Sequence, residues 1–301
     1  MVGVPGNPIM MNFIQYLING MSVGGLYALV ALGYSMVFGI LKFANFAHGD
    51  LYMLGAYFVM GLGVLTVPIQ FAIPVGMIGC ALASVAINYF IYRPVQNENR
   101  LILLISAVAV SLFLENIIQA VFSAETRAFP FSFADGILVY GEHLVVRVID
   151  LWVVGVTLLL AYLTSLFVNK TKAGRGIRAV ASNRTAALIT GVPVDRIISI
   201  TFFIGACLAT VASVFQSVTT NQLTPLMGVS AGLKAFAAAV LGGVGSLWGA
   251  VIGGFVLGIA ESVLIGIGFS AWKDSLAFVL LITILLVRPQ GLFGEKQVVK
   301  I

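Results

Sequence analysis

The feature that most constrains this chain is a series of apolar stretches, each about long enough to cross a lipid bilayer. A spanning helix needs about twenty apolar residues, and helices are the expected spanning element because the hydrocarbon offers no other partner to backbone polar groups. The runs are approximately Phe13 to Leu41, Leu51 to Val67, Ile69 to Tyr92, Leu101 to Phe122, Leu151 to Val168, Ile197 to Val218, Leu226 to Leu241, Leu247 to Phe269, and Ala271 to Val287. The sequence therefore predicts an all-α, polytopic membrane protein, one domain over residues 1–301, with about eight to ten transmembrane helices that include broken or re-entrant segments.

Composition excludes several other classes of protein. Apolar residues make up 60% of the chain and charged residues only 9%, whereas soluble proteins carry about 25% charge. A nucleic-acid-binding protein needs dense surface charge and a secreted disulfide scaffold needs dense cysteine, so both are excluded. Cys80 and Cys207 lie inside apolar runs, which favours small buried side chains over a disulfide or a metal site.

The distribution of charge predicts the orientation, because short cytoplasmic loops are enriched in lysine and arginine. Residues 170–196 carry a basic cluster and are predicted to be cytoplasmic, as are the loop between Arg93 and Arg100 and the end of the chain after Arg288. Residues 123–150 carry more acidic than basic side chains and are predicted to be external. The basic cluster consists of Lys170, Lys172, Arg175, Arg178, Arg184 and Arg196, and the external acidic residues are Glu125, Asp135, Glu142 and Asp150. On this count the N-terminus lies outside and the C-terminus lies in the cytoplasm.

The basic loop contains a segment, Ala173 to Gly191, whose apolar residues recur at helical spacing. It is too polar and too short to span a membrane, so it predicts an amphipathic helix lying in the loop. Its small residues favour insertion into a groove of a partner protein, and a helix resting on anionic lipid is the rival interpretation. The candidate docking residues are Gly174, Arg175, Arg178, Ala181, Asn183, Arg184, Ala186, Ala187 and Gly191.

Two polar or glycine-rich interruptions divide apolar regions. Each is a turn or an unwound break within the membrane, and paired breaks in the two halves of a transporter point to its substrate path. A short sequence similarity links the two interruptions, because residues 49–52 and residues 245–248 both have the order glycine, polar residue, leucine, aromatic residue. The candidate path residues in the breaks are Asn45, Phe46, His48, Asp50, Gly242, Gly243 and Gly245.

Charges inside the membrane are a second indicator of function, because each costs roughly 2.5 to 3.5 kcal/mol on insertion scales. Glu115 shares a helical stripe with Ser111 and Gln119 and belongs to an interhelical polar seam or to the substrate path. Lys234 and Glu261 lie in neighbouring runs and are expected to pair. Asp50 is also a candidate cap for a helix that begins at Leu51.

A glycine ladder in the eighth run predicts close helix packing. Its members are Gly245, Gly249 and Gly253, with Ala250, Gly254 and Gly258 alongside. The chain has no Walker A loop and no zinc-protease pattern, so we expect no catalytic residue, no cofactor and no metal.

Several ordered blocks resemble the permease subunit of ABC importers for branched-chain amino acids. The blocks are residues 25–34, 45–50, 92–94, 111–114, 174–191, 234–245, 258–261 and 288–294. The resemblance implies a subunit of the bacterial inner membrane without ATPase activity. It also implies a second, related permease, two cytoplasmic ATP-binding subunits that grip Ala173 to Gly191, and an external substrate-binding protein, with membrane lipid around the rest.

The sequence departs from that family at two positions. Thr185 stands where glutamate is frequent and Glu115 where glutamine is more usual, which bears on the ATPase contact and on substrate preference respectively.

Importers of urea or short amides have very similar permeases and remain an alternative. An ion-coupled secondary transporter that uses Glu115, Lys234 and Glu261 as a relay is a second alternative, and a membrane enzyme built around His48 and Asp50 is a third.

Overall fold

The computed structural model describes residues 8–96, 98–132, 136–140 and 144–294. The described chain forms twelve α-helices, with one π-helical turn at Asn88–Tyr92, one 3₁₀ turn at Ser270–Trp272 and one two-stranded antiparallel hairpin. The helices are α1 Pro8–Leu41, α2 Ala47–Val64, α3 Ile69–Ile87, α4 Arg93–Val95, α5 Arg100–Phe122, α6 Val148–Lys170, α7 Lys172–Ser182, α8 Arg184–Ile189, α9 Val194–Thr220, α10 Met227–Gly242, α11 Leu247–Gly266 and α12 Lys273–Val287, and the strands are β1 Ile137–Tyr140 and β2 Val145–Arg147.

Seven helical segments of the described chain are long and apolar enough to cross a membrane. They are Met10–Leu41, Ile69–Val95, Arg100–Phe122, Val148–Lys170, Val194–Thr220, Leu247–Gly266 and Ser270–Val287. Two further helices, α2 with 18 residues and α10 with 16 residues, lie among them. The prediction of an all-α polytopic membrane protein is confirmed.

The helices form a buried centre and an exposed periphery. α1 and α9 are mostly buried, whereas α3, α5, α6 and above all α12 present apolar side chains to the outside. A chain whose solvent is lipid can leave leucine and phenylalanine exposed in this way, since the hydrocarbon is as apolar as they are.

The ends of the helices define two sides of the molecule. One side, which we name the acidic side, holds the start of α1, the hairpin and the end of α11. There Gln15 of α1 accepts a hydrogen bond from Val145 N of the hairpin, and the Tyr16 hydroxyl donates to Gly266 O. On the opposite, basic side, the end of α1 meets α7 and the start of α11. The start of α1 and the hairpin therefore share a side, and α12 ends on the other.

α2 and α10 both begin near mid-depth and run in opposite directions. Gly49 in the first turn of α2 lies directly against Gly228 and Gly232 in the first turns of α10. α2 ends on the acidic side, where Gly63 meets Pro130, and α10 ends on the basic side. α2 runs 14 residues from Gly49 to Gly63, and α10 runs 14 residues from Gly228 to Gly242. Each of these stretches is about 21 Å long. The structure thus contains two half-length helices whose N-termini meet inside the bundle.

Glycine allows the central helices to approach one another closely. α11 packs antiparallel along α1: a Cβ on Gly254 would lie 2.5 Å from the Cα of Ala28, and one on Gly258 would overlap the backbone of Gly24. The ladder residues Gly249 and Gly253 lie against Gly242 and Ala238 of α10. The glycine ladder therefore faces α1 on one side and α10 on the other.

Two local expectations were wrong. The second helix begins at Ala47 and not at Leu51, so Asp50 lies within its first turn and caps nothing. The amphipathic segment is two helices, α7 and α8, because Asn183 is extended and its side chain accepts from Ala186 N to start the second one. At the other break Ser246 is the cap of α11 and accepts from Gly249 N at 3.1 Å.

Candidate functional site

A cluster of buried polar side chains surrounds the start of α2. Tyr34, Asn45, His48 and Asp50 are each no more than 2% exposed. The Tyr34 hydroxyl lacks a hydrogen-bond partner. His48 interacts with the backbone of Val30 and Asp50 with the Ser111 side chain, but neither interaction has full hydrogen-bond geometry. Buried polar groups are normally paired because an unpaired one costs free energy. This concentration of poorly paired groups makes the junction the candidate site.

Aromatic rings hold the break between α1 and α2 in place. The Tyr92 hydroxyl donates to Asn45 Oδ1 at 2.7 Å, and the Tyr92 ring packs between Phe43 and Phe202. Phe236 of α10 lies against both Tyr34 and Phe46, with ring centroids 5.4 and 6.3 Å apart. The break is therefore coupled mechanically to α9 and α10.

Asp50 faces two other helices besides its own. Ser111 and Glu115 of α5 are the polar groups that interact with its carboxylate. A Cβ on Gly228 of α10 would lie 3.0 Å from Asp50 Oδ1. Ser111, Glu115 and Gln119 form a partly exposed stripe beside the buried stripe that contains Leu114. Glu115 and Asp50 thus belong to one polar junction among α2, α5 and α10, which we name the acidic junction.

A second polar centre lies between α1, α10, α11 and α12. Lys234 Nζ contacts Glu261 Oε1 at 2.5 Å, Asp274 Oδ1 at 2.7 Å and the Tyr27 hydroxyl at 3.2 Å. The Tyr27 hydroxyl donates to Glu261 Oε2 at 2.8 Å. These side chains line a cavity of about 450 Å³. The charges are mutually satisfied, which is how a buried ion pair persists inside a membrane protein.

The break at Gly242–Ser246 is not part of the acidic junction. It lies on the basic side, where Gly245 N donates to the Ser35 hydroxyl. The segment that follows α12 covers it: Leu292 N and Phe293 N donate to Leu241 O and Gly242 O. Gly243, at φ 107°, touches the backbone of Gly291 and Gly294. Of the path residues expected from sequence, the structure brings together Asn45, Phe46, His48, Asp50 and Glu115 with Gln119 further along α5, and leaves Gly242, Gly243 and Gly245 apart.

The basic loop presents an anchored helix and an exposed helix. α7 packs on α6 and α9 through Gly174, Gly176, Ile177 and Val180, and Arg178 donates to Val168 O at the end of α6. α8 extends beyond it and exposes Leu188 and Ile189, which are 64% and 81% accessible.

One side-chain contact ties α8 to the loop after α4: the Arg184 guanidinium donates to Gln96 O at 3.3 Å. Beside it, Arg93 of α4 pairs with Asp195 of α9 at 2.7 Å. A groove of about 590 Å³ lies beside these residues. α8 therefore presents two large apolar side chains next to basic residues.

Several residues of these sites could not be recognised as functional from the sequence. Tyr34, Tyr92 and Phe236 are aromatic residues in apolar runs and look like ordinary core residues there. Leu188 and Ile189 are apolar residues of an amphipathic segment, and only the break at Asn183 turns them outward. The expected external and cytoplasmic residues Asp135, Glu142, Lys296 and Lys300 lie outside the described residues. Within the described part of the chain, no group of three or more His, Cys, Asp or Glu could hold a metal ion.

Comparison with known proteins places these features in a family context. Residues 16–285 match the family model described as branched-chain amino acid transport system / permease component. The chain is 38% identical to the high-affinity branched-chain amino acid transport system permease protein BraD of Pseudomonas aeruginosa, over 98% of this chain and 100% of that protein. It is 37% identical to the corresponding protein LivH of Escherichia coli, over 96% of this chain and 98% of that protein.

More distant similarity reaches other permeases. The ribose import permease protein RbsC of Escherichia coli is 29% identical over 44% of this chain and 43% of that protein. Among solved structures, PsaBC from Streptococcus pneumoniae in complex with Fab aligns with a TM-score of 0.53 at 14% identity, over 93% of this chain and 97% of that chain. At that identity the alignment shows a shared fold and nothing more.

Proposed function

The chain belongs to the family of branched-chain amino acid transport permeases, and we propose that it is the transmembrane permease subunit of an ATP-driven importer of branched-chain or similar small neutral amino acids. It is a multi-pass membrane protein, which we place in the bacterial inner membrane with residues 123–150 outside and residues 170–196 and the C-terminus in the cytoplasm. The observation that carries the proposal is the match over nearly the whole length of both chains to permeases of such systems.

The partners follow from surfaces that a lone chain leaves incomplete. The chain contains no Walker A loop, so ATP hydrolysis belongs to separate subunits. Leu188 and Ile189 on α8 are the apolar anchors for which a groove on a cytoplasmic ATP-binding subunit is the fitting partner. Two such subunits serve two permeases, and an external binding protein delivers the amino acid.

A second, related permease covers the polar stripe of α5. Ser111, Glu115 and Gln119 are partly exposed on a helix whose other exposed residues are apolar apart from Arg100 and Asn116. A carboxylate at the middle of a spanning helix is costly in lipid and belongs against protein or water. We therefore place the substrate path along this stripe, at the face toward the second permease, with the acidic junction as its polar wall.

The break between α1 and α2 gives a mechanical route from the basic loop to the path. α7 contacts α1 and α9, and α9 packs on α2 and α3. Tyr92 and Phe202 connect α9 to the break at Asn45. Closure of the ATP-binding subunits on α8 would move α7 and α9 as a unit and displace the starts of α2 and α10, where the two short helices meet at Gly49, Gly228 and Gly232.

The rival mechanism, an ion-coupled secondary transporter, would need Lys234 and Glu261 as a free relay. The two side chains instead hold one another, with Tyr27 and Asp274 completing the network. A mutually satisfied ion pair supports a structural role for Lys234 and Glu261 and disfavours the relay.

Uptake in cells tests the proposal. Cells that carry this chain with its partner permease, ATP-binding subunits and binding protein are expected to accumulate radiolabelled leucine, isoleucine and valine against a gradient. Cells that lack only the ATP-binding subunits are expected to accumulate none. Undiminished accumulation without those subunits would reject ATP-driven import, and accumulation of urea in place of leucine would move the protein to the alternative substrate class.

A further inference from the structure

Asp50 is a fully buried carboxylate for which the described part of this chain provides no cationic partner. It is 1% exposed, and neither of its oxygens makes a hydrogen bond of full geometry. The groups that interact with its carboxylate are Ser111 and Glu115, and neither is a cation. Lys234 is a buried lysine, but its ammonium group is already paired with Glu261 and Asp274. A second carboxylate, Glu115, therefore faces Asp50 without a counter-charge from the protein.

Helix ends offset only part of this negative charge. The N-termini of α2 and α10 meet beside Asp50, since Gly49 and Gly228 are in direct contact. Each helix N-terminus is equivalent to roughly half a unit of positive charge. The two ends together balance about one carboxylate, so the pair of Asp50 and Glu115 carries about one uncompensated negative charge when both are ionised. A site with this charge, inside a permease, is suited to a singly charged cationic group.

We propose that Asp50 and Glu115 form the site that receives the α-ammonium group of the amino acid during transport. The inference rests on the proposed function and adds a substrate requirement to it, because a branched-chain amino acid carries one such group and urea and short amides carry none. The Ser111 hydroxyl interacts with the Asp50 carboxylate and adds a third polar group to the site. Charge-assisted hydrogen bonds from an ammonium to carboxylate oxygens are the strongest that such a site can make.

The two carboxylates differ in accessibility, which gives the site a direction. Glu115 is partly exposed on the stripe of α5, whereas Asp50 is sealed between α2, α5 and α10. An incoming ammonium group meets Glu115 first and reaches Asp50 when the start of α10 moves. Glutamine, which is more usual in the family at this position, would remove the charge while keeping a similar shape, so Glu115 strengthens the preference of this chain for a charged amine.

Thiol labelling tests the site without dependence on the specificity of the binding protein. In the assembled complex in lipid nanodiscs, with Cys80 and Cys207 replaced by alanine, Ser111→Cys is labelled with cationic aminoethyl methanethiosulfonate and with anionic sulfonatoethyl methanethiosulfonate. We expect the cationic reagent to react about tenfold faster, because negative potential concentrates cations at the site. The preference should fall toward unity in Ser111→Cys combined with Glu115→Gln. Ser106→Cys, on another face of α5, is the matched control and should show little preference.

Protection by ligands identifies the group that is bound. Leucine and isoamylamine, which carry the ammonium group, should slow labelling of Ser111→Cys, whereas isocaproate, which lacks it, should not. Equal rates for the two reagents, protection by isocaproate as strong as that by leucine, or a cysteine that is unreactive in every nucleotide state would each overturn the inference. These outcomes are separate from the uptake test, since a complex can import leucine by ATP hydrolysis and still fail every one of them.

Discussion

At the scale of single residues, Lys234 is the centre of a buried network of charged and hydroxyl groups. Lys234 is 8% exposed and contacts Glu261, Asp274 and Tyr27. Removing one member of a buried pair leaves the other charge without compensation, which is more costly than never burying either.

We expect Lys234→Met to destabilise the folded subunit by about 3–5 kcal/mol, because Glu261 is then buried without its cation. The measurement is the free energy of unfolding in mixed micelles, or the melting temperature of the purified complex. Asp274→Asn is the matched control. Its side chain is 63% exposed, so its loss should cost about 1 kcal/mol or less. Equal losses for both variants would show that the Glu261 pair is not the core of the network.

Sequence reasoning identified some of these residues and missed others for physical reasons. Lys234 and Glu261 were expected to pair, because two opposite charges in neighbouring apolar runs have few other options. Asp274 lies at a helix end, where an acidic residue is ordinary, and Tyr27 looks like any aromatic residue in an apolar run. Asp50 has the character of a cap, and only the tertiary contact of α2 with α10 shows that it lies deep in the bundle.

At the scale of helices, the crossing of α1 and α11 is a contact between backbones. A Cβ on Gly258 would overlap Gly24 and Gly20. We expect Gly258→Ala to destabilise the complex by about 1–3 kcal/mol, as in other overpacked cores. Gly61→Ala, in α2, meets nothing within 4 Å and should be neutral or stabilising by up to about 1 kcal/mol. Thermal unfolding of the two variants in detergent distinguishes them, and equal stability would mean that α1 and α11 are not packed as described.

The exposed helix α8 carries a second prediction at this scale. We expect Leu188→Asp with Ile189→Asp to reduce ATP-driven uptake at least about tenfold and to release the ATP-binding subunits during purification, because buried apolar anchors dominate such interfaces. Folding should be unaffected, since both side chains are exposed. Leu65→Asp adds charge to a leucine that is 71% exposed near the opposite side of the molecule, and subunit retention should be normal. Retention of the ATP-binding subunits by the double variant would contradict the docking surface.

Helices were easier to predict from sequence than their depth or their breaks. Each of the long apolar runs forms a helix, because run length and hydrogen-bond satisfaction leave little choice. The split of the basic segment at Asn183 depends on one capping side chain. The mid-depth start of α10 depends on the contact between Gly49 and Gly228. Neither the cap nor the glycine contact produces a periodic pattern, so neither could be recognised in advance.

At the scale of the whole molecule, the fold fixes which surfaces share a side of the membrane. The loop at residues 123–132 and the start of α1 lie on the acidic side, and α7 and α8 lie on the basic side. In right-side-out vesicles, a cysteine at Thr126 should react with an impermeant maleimide, and one at Ser182 should react only after permeabilisation. The reverse pattern would invert the topology, and labelling of both from outside would contradict the separation of the two sides.

At this scale the central claim is ATP-driven import of branched-chain amino acids, and reconstitution of the purified complex tests it most directly. The purified complex, in proteoliposomes with its binding protein outside and no ion gradient, is expected to import radiolabelled leucine when ATP is enclosed with the cytoplasmic face. It should import none with a non-hydrolysable analogue. Import that proceeds without ATP hydrolysis when a proton or sodium gradient is imposed would contradict the account.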